Sequence, residues 1–333
     1  MLKSLISAAA LGLSALTIAL PAHAQYPERN IQAVIPWGAG GSTDNVMRSL
    51  SPYAEKELGT KLVLTNRPGG TALIGTTYVK NQRPNGYTLL MGAENPQQYQ
   101  VMGLADFDYS EFYPINIVAQ NTTLIAVRED SPYQTMDELL TAIREANGTL
   151  RMGSTGVGAI QNTVFSMLKA VDDLNVREVT FQGEGPIVTA LLGGHVDFSP
   201  LSMAASKEML ASGKFRALAV MATEEFEELP GVEPITKSLP ETAQYLPWGP
   251  FYGVFVHKDT PDDVKQTLVE GFAKAVANPE YQEFLKTFGA RSLSLSGDEA
   301  HEFLKRWQSV TTWSMYRANN VNISPETLGI AQP

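Results

Sequence analysis

Cysteine is absent from all 333 residues, which removes disulfide frameworks, cysteine-ligated zinc, iron–sulfur clusters and thiol nucleophiles together. Histidine is nearly as scarce. His23, His195, His257 and His301 are the four, and no two stand at a metal-ligand spacing such as His-x-x-x-His, so no metal centre and no cofactor is expected. Basic residues are outnumbered, with 25 Lys plus Arg against 35 Asp plus Glu and a formal charge of −10. Without a basic stripe to displace counterions from phosphates, nucleic acid is not expected as a partner. Long apolar runs are also missing after Leu20, and with them any further candidate for a membrane span.

The one apolar run stands at the start. Lys3 precedes the stretch from Leu5 to Leu20, and Ala22-His23-Ala24 follows before Gln25. A basic start, an apolar centre and a small-x-small site read as an export leader over 1–24, cleaved after Ala24. The run is short for a span of about 20 residues and no basic flank stops it. A lipid anchor would need a cysteine, so the exported product is expected to be soluble. Its length suits about two domains of roughly 100–200 residues.

From Gln25 the chain alternates short apolar runs with amphipathic stretches. Ile31 to Pro36 reads as a strand, and Val46, Met47, Leu50, Ala54 and Leu58 as one face of a helix stopped by Gly59. Pro52 inside that helix predicts a kink or a restart capped by Ser51. Strand 61–65, helix 71–81 and strand 87–92 complete a first β-α-β series, the pattern of a parallel sheet covered by helices. A second series has helices at 135–146, 161–171, 186–192 and 204–212, and strands at 149–153, 176–181, 196–198 and 215–221. The β-rich stretch 115–127 lies between the series, and Gly253 to His257 follows the loop-like segment 230–250. Two such extended crossings predict two α/β lobes, the first discontinuous: 25–123 with 246–333, and 124–245. Helices 262–277, 279–288 and 298–319 are then expected back on the first lobe.

Strand, glycine-rich turn and helix start occur once in each lobe. The first turn is Pro36-Trp37-Gly38-Ala39-Gly40-Gly41-Ser42-Thr43-Asp44, and the second runs from Met152-Gly153-Ser154-Thr155-Gly156-Val157-Gly158-Ala159 to Asn162. Glycines allow close approach of a ligand, and a helix start offers unpaired N–H groups at the positive end of its dipole. Each turn is therefore a candidate anion cradle. The hydroxyls of Ser42, Thr43, Ser154 and Thr155 either cap their own helices or reach a ligand oxygen. Neither turn has the Lys-Ser/Thr ending of a phosphate loop. The dinucleotide fingerprint is half met, with Thr43 and Gln161 where a third glycine belongs and Asn66 where an acidic residue belongs. A carboxylate held by neutral donors remains.

The chain resembles the periplasmic solute-binding proteins of tripartite tricarboxylate transporters, the Bug or TctC-like receptors. The resemblance rests on Tyr26-Pro27, the first turn ending in Gly-Ser-Thr-Asp, Asn66-Arg67-Pro68-Gly69-Gly70 with Ile74-Gly75, and Pro84-Asn85-Gly86-Tyr87-Thr88-Leu89-Leu90. It continues in Gly183-Glu184-Gly185-Pro186, Leu191-Leu192-Gly193-Gly194-His195-Val196-Asp197 and Gly213 to Val220. It implies a monomeric, two-lobed binding protein of type II-like fold that closes on a carboxylate-bearing solute (a di-, tri- or aromatic acid) and passes it to a membrane permease. The carboxylate is expected between the two helix starts, on main-chain amides, hydroxyls and water. In the family the second turn often carries hydroxyls and a histidine where Ala159, Ile160, Gln161 and Asn162 stand, and Phe181 replaces a frequent tyrosine.

The ligand-binding set expected on these grounds is Trp37, Gly40, Gly41, Ser42, Thr43, Asp44, Asn95, Thr155, Gly158, Ala159, Asn162, Ser199 and Ser202. Trp37 walls the pocket or packs between strand and helix. Asp44 complements the first helix dipole rather than acting as a base. Glu94 and Asn95 follow the third strand, where open α/β sheets bind ligands; a carboxylate there is awkward beside an anion, so Glu94 is expected in solvent unless the solute carries a donor. Arg67 is expected to pin its own turn, and Ser199 and Ser202 to follow strand 196–198 at the edge of the second lobe. Catalysis is not expected: no Gly-x-Ser-x-Gly elbow occurs and Ser42 has no evident base. The alternatives are a ligand sensor for a membrane signalling partner and an exported oxidoreductase or hydrolase.

Overall fold

The computed structural model describes residues 26–226 and 228–333; the leader and its cleavage site lie outside them. In chain order the elements are β1 (Ile31–Ile35), α1 (Ser42–Leu58), β2 (Leu62–Asn66), α2 (Leu73–Lys80), β3 (Thr88–Ala93), β4 (Phe112–Asn121) and β5 (Thr123–Arg128). Then come α3 (Met136–Ala146), β6 (Arg151–Ser154), α4 (Ile160–Lys169), β7 (Arg177–Thr180), α5 (Glu184–Leu192), β8 (Ser199–Ser202), α6 (Met203–Ala211) and β9 (Phe215–Val220). The chain ends with β10 (Phe251–His257), α7 (Asp262–Val276), α8 (Pro279–Phe288), β11 (Ala290–Leu295) and α9 (Gly297–Arg317). Among the described residues no helix is long and apolar enough to cross a membrane.

The fold is α/β and two-lobed, as expected. One sheet of six strands runs β11-β4-β10-β3-β1-β2. In the other lobe β8-β5-β9 form one ladder and β6-β7 a second, joined at the bridge between Met152 and Phe198. The sheets are mixed rather than mostly parallel. Pairing is parallel within β1, β2 and β3 and between β6 and β7, whereas β10 and β11 in one lobe and β5 in the other pair antiparallel. The cause is the crossing: only Thr122 separates β4, inside the first sheet, from β5, at the centre of the second ladder. The return is not a strand. It is the irregular segment 221–250 with two short 3-10 turns, after which β10 lies wholly in the first sheet between β3 and β4.

Helix α1 runs unbroken through Pro52, without the predicted restart. Ser51 does not cap; its hydroxyl donates back to the Met47 carbonyl at 2.7 Å. An interior proline costs about 3 kcal/mol, but Val46, Met47, Leu50, Ala54 and Leu58 are all buried in one cluster with Leu268 and Phe272 of α7, and that burial outweighs it. Gly59 ends the helix at φ 66°.

Three local readings are corrected. The strand expected at 196–198 is β8, three residues on, pairing with β5 from Ser199 to Ser202. Edge strand β11 was not anticipated; its alternating Arg-Ser-Leu-Ser-Leu is half exposed and its ladder on β4 is irregular near Ser294, at φ 51°. Helix α9 does not rest on the first lobe alone. Arg317 at its end donates to Tyr245 OH at 3.0 Å, and Asn320, just beyond the helix, donates to Ser166 Oγ of α4 at 2.5 Å.

Candidate functional site

The C-terminal ends of β1, β3, β6 and β7 open onto one cavity of about 530 Å³ between the lobes, a volume typical of small-molecule sites. Both glycine-rich turns reach it, and their backbones match closely. Gly41 N donates to the Gly38 carbonyl at 3.3 Å and Ala159 N to the Gly156 carbonyl at 3.2 Å. Gly40 and Gly158 take φ 78° and 77°, a left-handed conformation that favours glycine. The helix caps are Gly41 and Ala159, both extended and neither supplying a side-chain cap. Among the described residues, then, the first turns of α1 and α4 have no side chain accepting from their leading N–H groups, which a helix start must otherwise satisfy by water or ligand.

The sequence-predicted residues separate into wall and scaffold. Trp37, Gly41, Ser42, Thr43, Asn95, Thr155 and Ala159 line the cavity. Gly40, Asp44, Gly158, Asn162, Ser199 and Ser202 stand behind it. Asp44 is a clamp: it accepts from Gly40 N, Arg48 Nε and Asn66 Nδ2, each at 2.8 Å. Burial opposes its charge, yet the bonds from Arg48, Asn66 and Gly40 hold its carboxyl below the usual aspartate range. Asn162 does the same for the second turn, accepting from Gly158 N at 3.3 Å and donating to Glu178 at 2.9 Å. Clamping leaves the Gly40 and Gly158 N–H groups occupied. Ser199 donates to the Gly153 carbonyl at 2.9 Å and ties β8 to β6. Ser202 caps α6 and donates to Glu184 at 2.7 Å.

Two expectations on charged residues come out differently. Arg67 stacks on Tyr78 of α2, 3.8 Å from its ring centroid, and is not a lining residue. Glu94 is not in solvent. It lines the cavity, 9% exposed, and burial pushes its carboxyl up to about 7 against the backbone bonds from Glu94 and Phe251, with the charge of Glu184 adding to the rise. Glu184 is also a wall residue; burial raises its carboxyl too, opposed by the bonds from Ser202 N and Oγ at 2.8 and 2.7 Å.

Sequence reasoning also missed Thr71, Tyr252 and Pro250. Thr71 takes φ 54°, rare for a β-branched residue, and its carbonyl is held by Tyr99 OH at 3.0 Å. Tyr252 stands beside Ser42, its hydroxyl raised by burial and accepting from Asn121 at 2.8 Å. Only the return crossing brings it there. For Glu184 a signal existed in Gly183-Glu184-Gly185-Pro186, which places a carboxylate at a helix start beside a glycine-rich turn.

Comparison with known proteins gives a family and a fold. Residues 46–311 match the model of the tripartite tricarboxylate transporter family receptor, TctC. A UPF0065 protein in the gbd 5' region of Cupriavidus necator is 29% identical over 300 residues, covering 89% of each chain. The solved periplasmic binding protein BugD is 27% identical with a TM-score of 0.73, covering 92% of this chain and all of that one. A protein of R. palustris solved with adipate superimposes with a TM-score of 0.77 at 21% identity, over 88% of this chain and 98% of its own.

Proposed function

The chain belongs to the tripartite tricarboxylate transporter receptor family, and we propose that it captures a carboxylate-bearing organic solute in the periplasm and delivers it to a permease of that transporter class. The family is a receptor family, and the action proposed here is binding without chemistry. One observation carries the reading: two uncapped helix starts, one from each lobe, converge on a cavity whose wall has no Lys, Arg or His. Helix ends attract anions through unpaired N–H groups and dipole. Here they are the main positive features available. The adipate-bound neighbour supports an acid as the guest.

In this reading residues 25–123 and 246–333 form one lobe and 124–245 the other, hinged where the chain crosses at Thr122 and along 221–250. Ligand favours the closed arrangement because only closure brings both helix ends to one carboxylate. The test is a thermal-shift panel of carboxylic acids, sugars and amines on the purified protein. A binding acid at 100 times its Kd adds about 2.7 kcal/mol of stability. Ser42→Phe, which fills the space before α1, is expected to abolish that shift. Shifts from sugars alone would sink the proposal.

A further inference from the structure

A receptor for acids has no obvious use for acidic walls, yet the charged side chains lining this cavity are Glu94 and Glu184. Their surroundings differ. Glu184 is committed to Ser202, whereas Glu94 ends β3 against the cavity, 9% exposed. Beside it Asn95, also a lining residue, is 4% exposed, and its Oδ1 has no hydrogen-bond partner. A buried acceptor without a donor destabilises the empty cavity. Glu94 takes bonds only from the backbone of Glu94 and Phe251 and faces no cation in the wall, and Asn95 Oδ1 takes none among the described residues. On the opposite account stand the leading N–H groups of α1 and α4 and the indole Nε1 of Trp37, a buried donor without a partner. The cavity therefore holds unfilled donors at the helix starts together with an unfilled acceptor, Asn95 Oδ1, and a carboxylate without a counter-charge, Glu94.

We propose that the solute is an aminocarboxylate, its carboxylate at the two helix starts beside Trp37 and its protonated amine against Glu94 and Asn95 Oδ1. The proposal rests on the carboxylate reading above and narrows it. A second carboxylate in the amine's place would set like charge against Glu94 and leave Asn95 Oδ1 unpaired. A monocarboxylate with an apolar tail would leave Asn95 Oδ1 unpaired and Glu94 buried without a counter-charge.

The pH dependence has a defined sign. Facing Glu94 are Glu184 from α5, Tyr252 from β10, Tyr99 beyond the 3-10 turn at Asn95–Gln98, and Tyr109. The three tyrosines are raised by burial and stay neutral below pH 9. An amine on the ligand favours ionised Glu94, so affinity rises with pH up to the Glu94 midpoint and then levels. A dicarboxylate needs Glu94 protonated, and its affinity falls above that midpoint.

The experiment is calorimetric titration of the purified full chain with adipate, 6-aminohexanoate and hexanoate, and with glutarate and L-glutamate, at pH 5.5, 7 and 8.5. The expected result is an aminocarboxylate bound at least about tenfold more tightly than its dicarboxylate match, a gap of about 1.4 kcal/mol, widening with pH. Glu94→Gln is expected to close the gap. The wild-type pH profile decides the matter even where that variant folds poorly. Dicarboxylates binding more tightly, or aminocarboxylate affinity falling as pH rises, overturns this inference and leaves the carboxylate reading intact. Failure of every acid in the panel takes down both.

Discussion

The two glycine-rich turns share a backbone and differ in nearly every side chain. In the first lobe the clamp is a carboxylate, Asp44, held by Arg48 and Asn66; in the second it is an amide, Asn162, held by Glu178. The first helix starts with Ser42 and Thr43 at the cavity, the second with Ile160 and Gln161. The difference teaches that the turn conformation itself is what the two lobes share, because it brings both helix starts to the cavity. Side-chain chemistry then divides the work, with the first lobe offering hydroxyls and the second mainly main-chain amides.

The sharpest way to break this comparison is to remove each clamp. Asp44→Ala leaves Gly40 N, Arg48 and Asn66 without their acceptor and is expected to cost roughly 2–3 kcal/mol in urea denaturation. Asn162→Ala removes one long neutral bond and one bond to the Glu178 carboxylate and is expected to cost about 1–2 kcal/mol. Equal losses would mean that charge at the first turn adds nothing. Acid probes the Asp44 clamp by itself. Because the folded state lowers the Asp44 pKa, its contribution is complete above the unfolded value and fades as pH falls through the folded one. The stability gap between wild type and Asp44→Asn is therefore expected to hold from pH 5 to 8 and to shrink below about pH 4.

Ligand affinity gives the smaller effects. Ser42→Ala with Thr43→Val is expected to weaken acid binding about tenfold, the equivalent of one or two lost hydrogen bonds. Thr155→Val is expected to change it less than about threefold, since that hydroxyl already donates to Gln161 at 3.1 Å. A larger loss at Thr155 would show the second lobe gripping by side chain after all.

What was legible in the sequence was local. Apolar spacing fixed the face of α1, and glycine spacing located both turns, because these depend on neighbours a few residues away. Strand β8 was misplaced because Val196 and Phe198 are apolar and Ser199-Pro200-Leu201-Ser202 contains a residue that cannot donate; the ladder tolerates Pro200 because β8 is the edge of β8-β5-β9. Glu94 was misjudged for a longer-range reason. Chain from both lobes, Pro250 and Tyr252 on one side and Gly183 and Glu184 on the other, closes over it, and no pattern near residue 94 records that. The clamps were taken for ligand contacts because the string Gly-Ser-Thr-Asp does not say which way each polar atom turns.

The rest that α9 gives to α4 turns the latter into a lever. Its first turn faces the guest, and Ser166, about 9 Å further along at 1.5 Å per residue, leans on Asn320 at the foot of α9. A rigid rod touched at both places cannot move at one without pressing on the other. Filling the cleft is therefore expected to register at the C-terminal tail, where Ser309 and Trp313 hold the Ala331 and Ile330 carbonyls, with slowed amide exchange along that tail as the measurement that checks it.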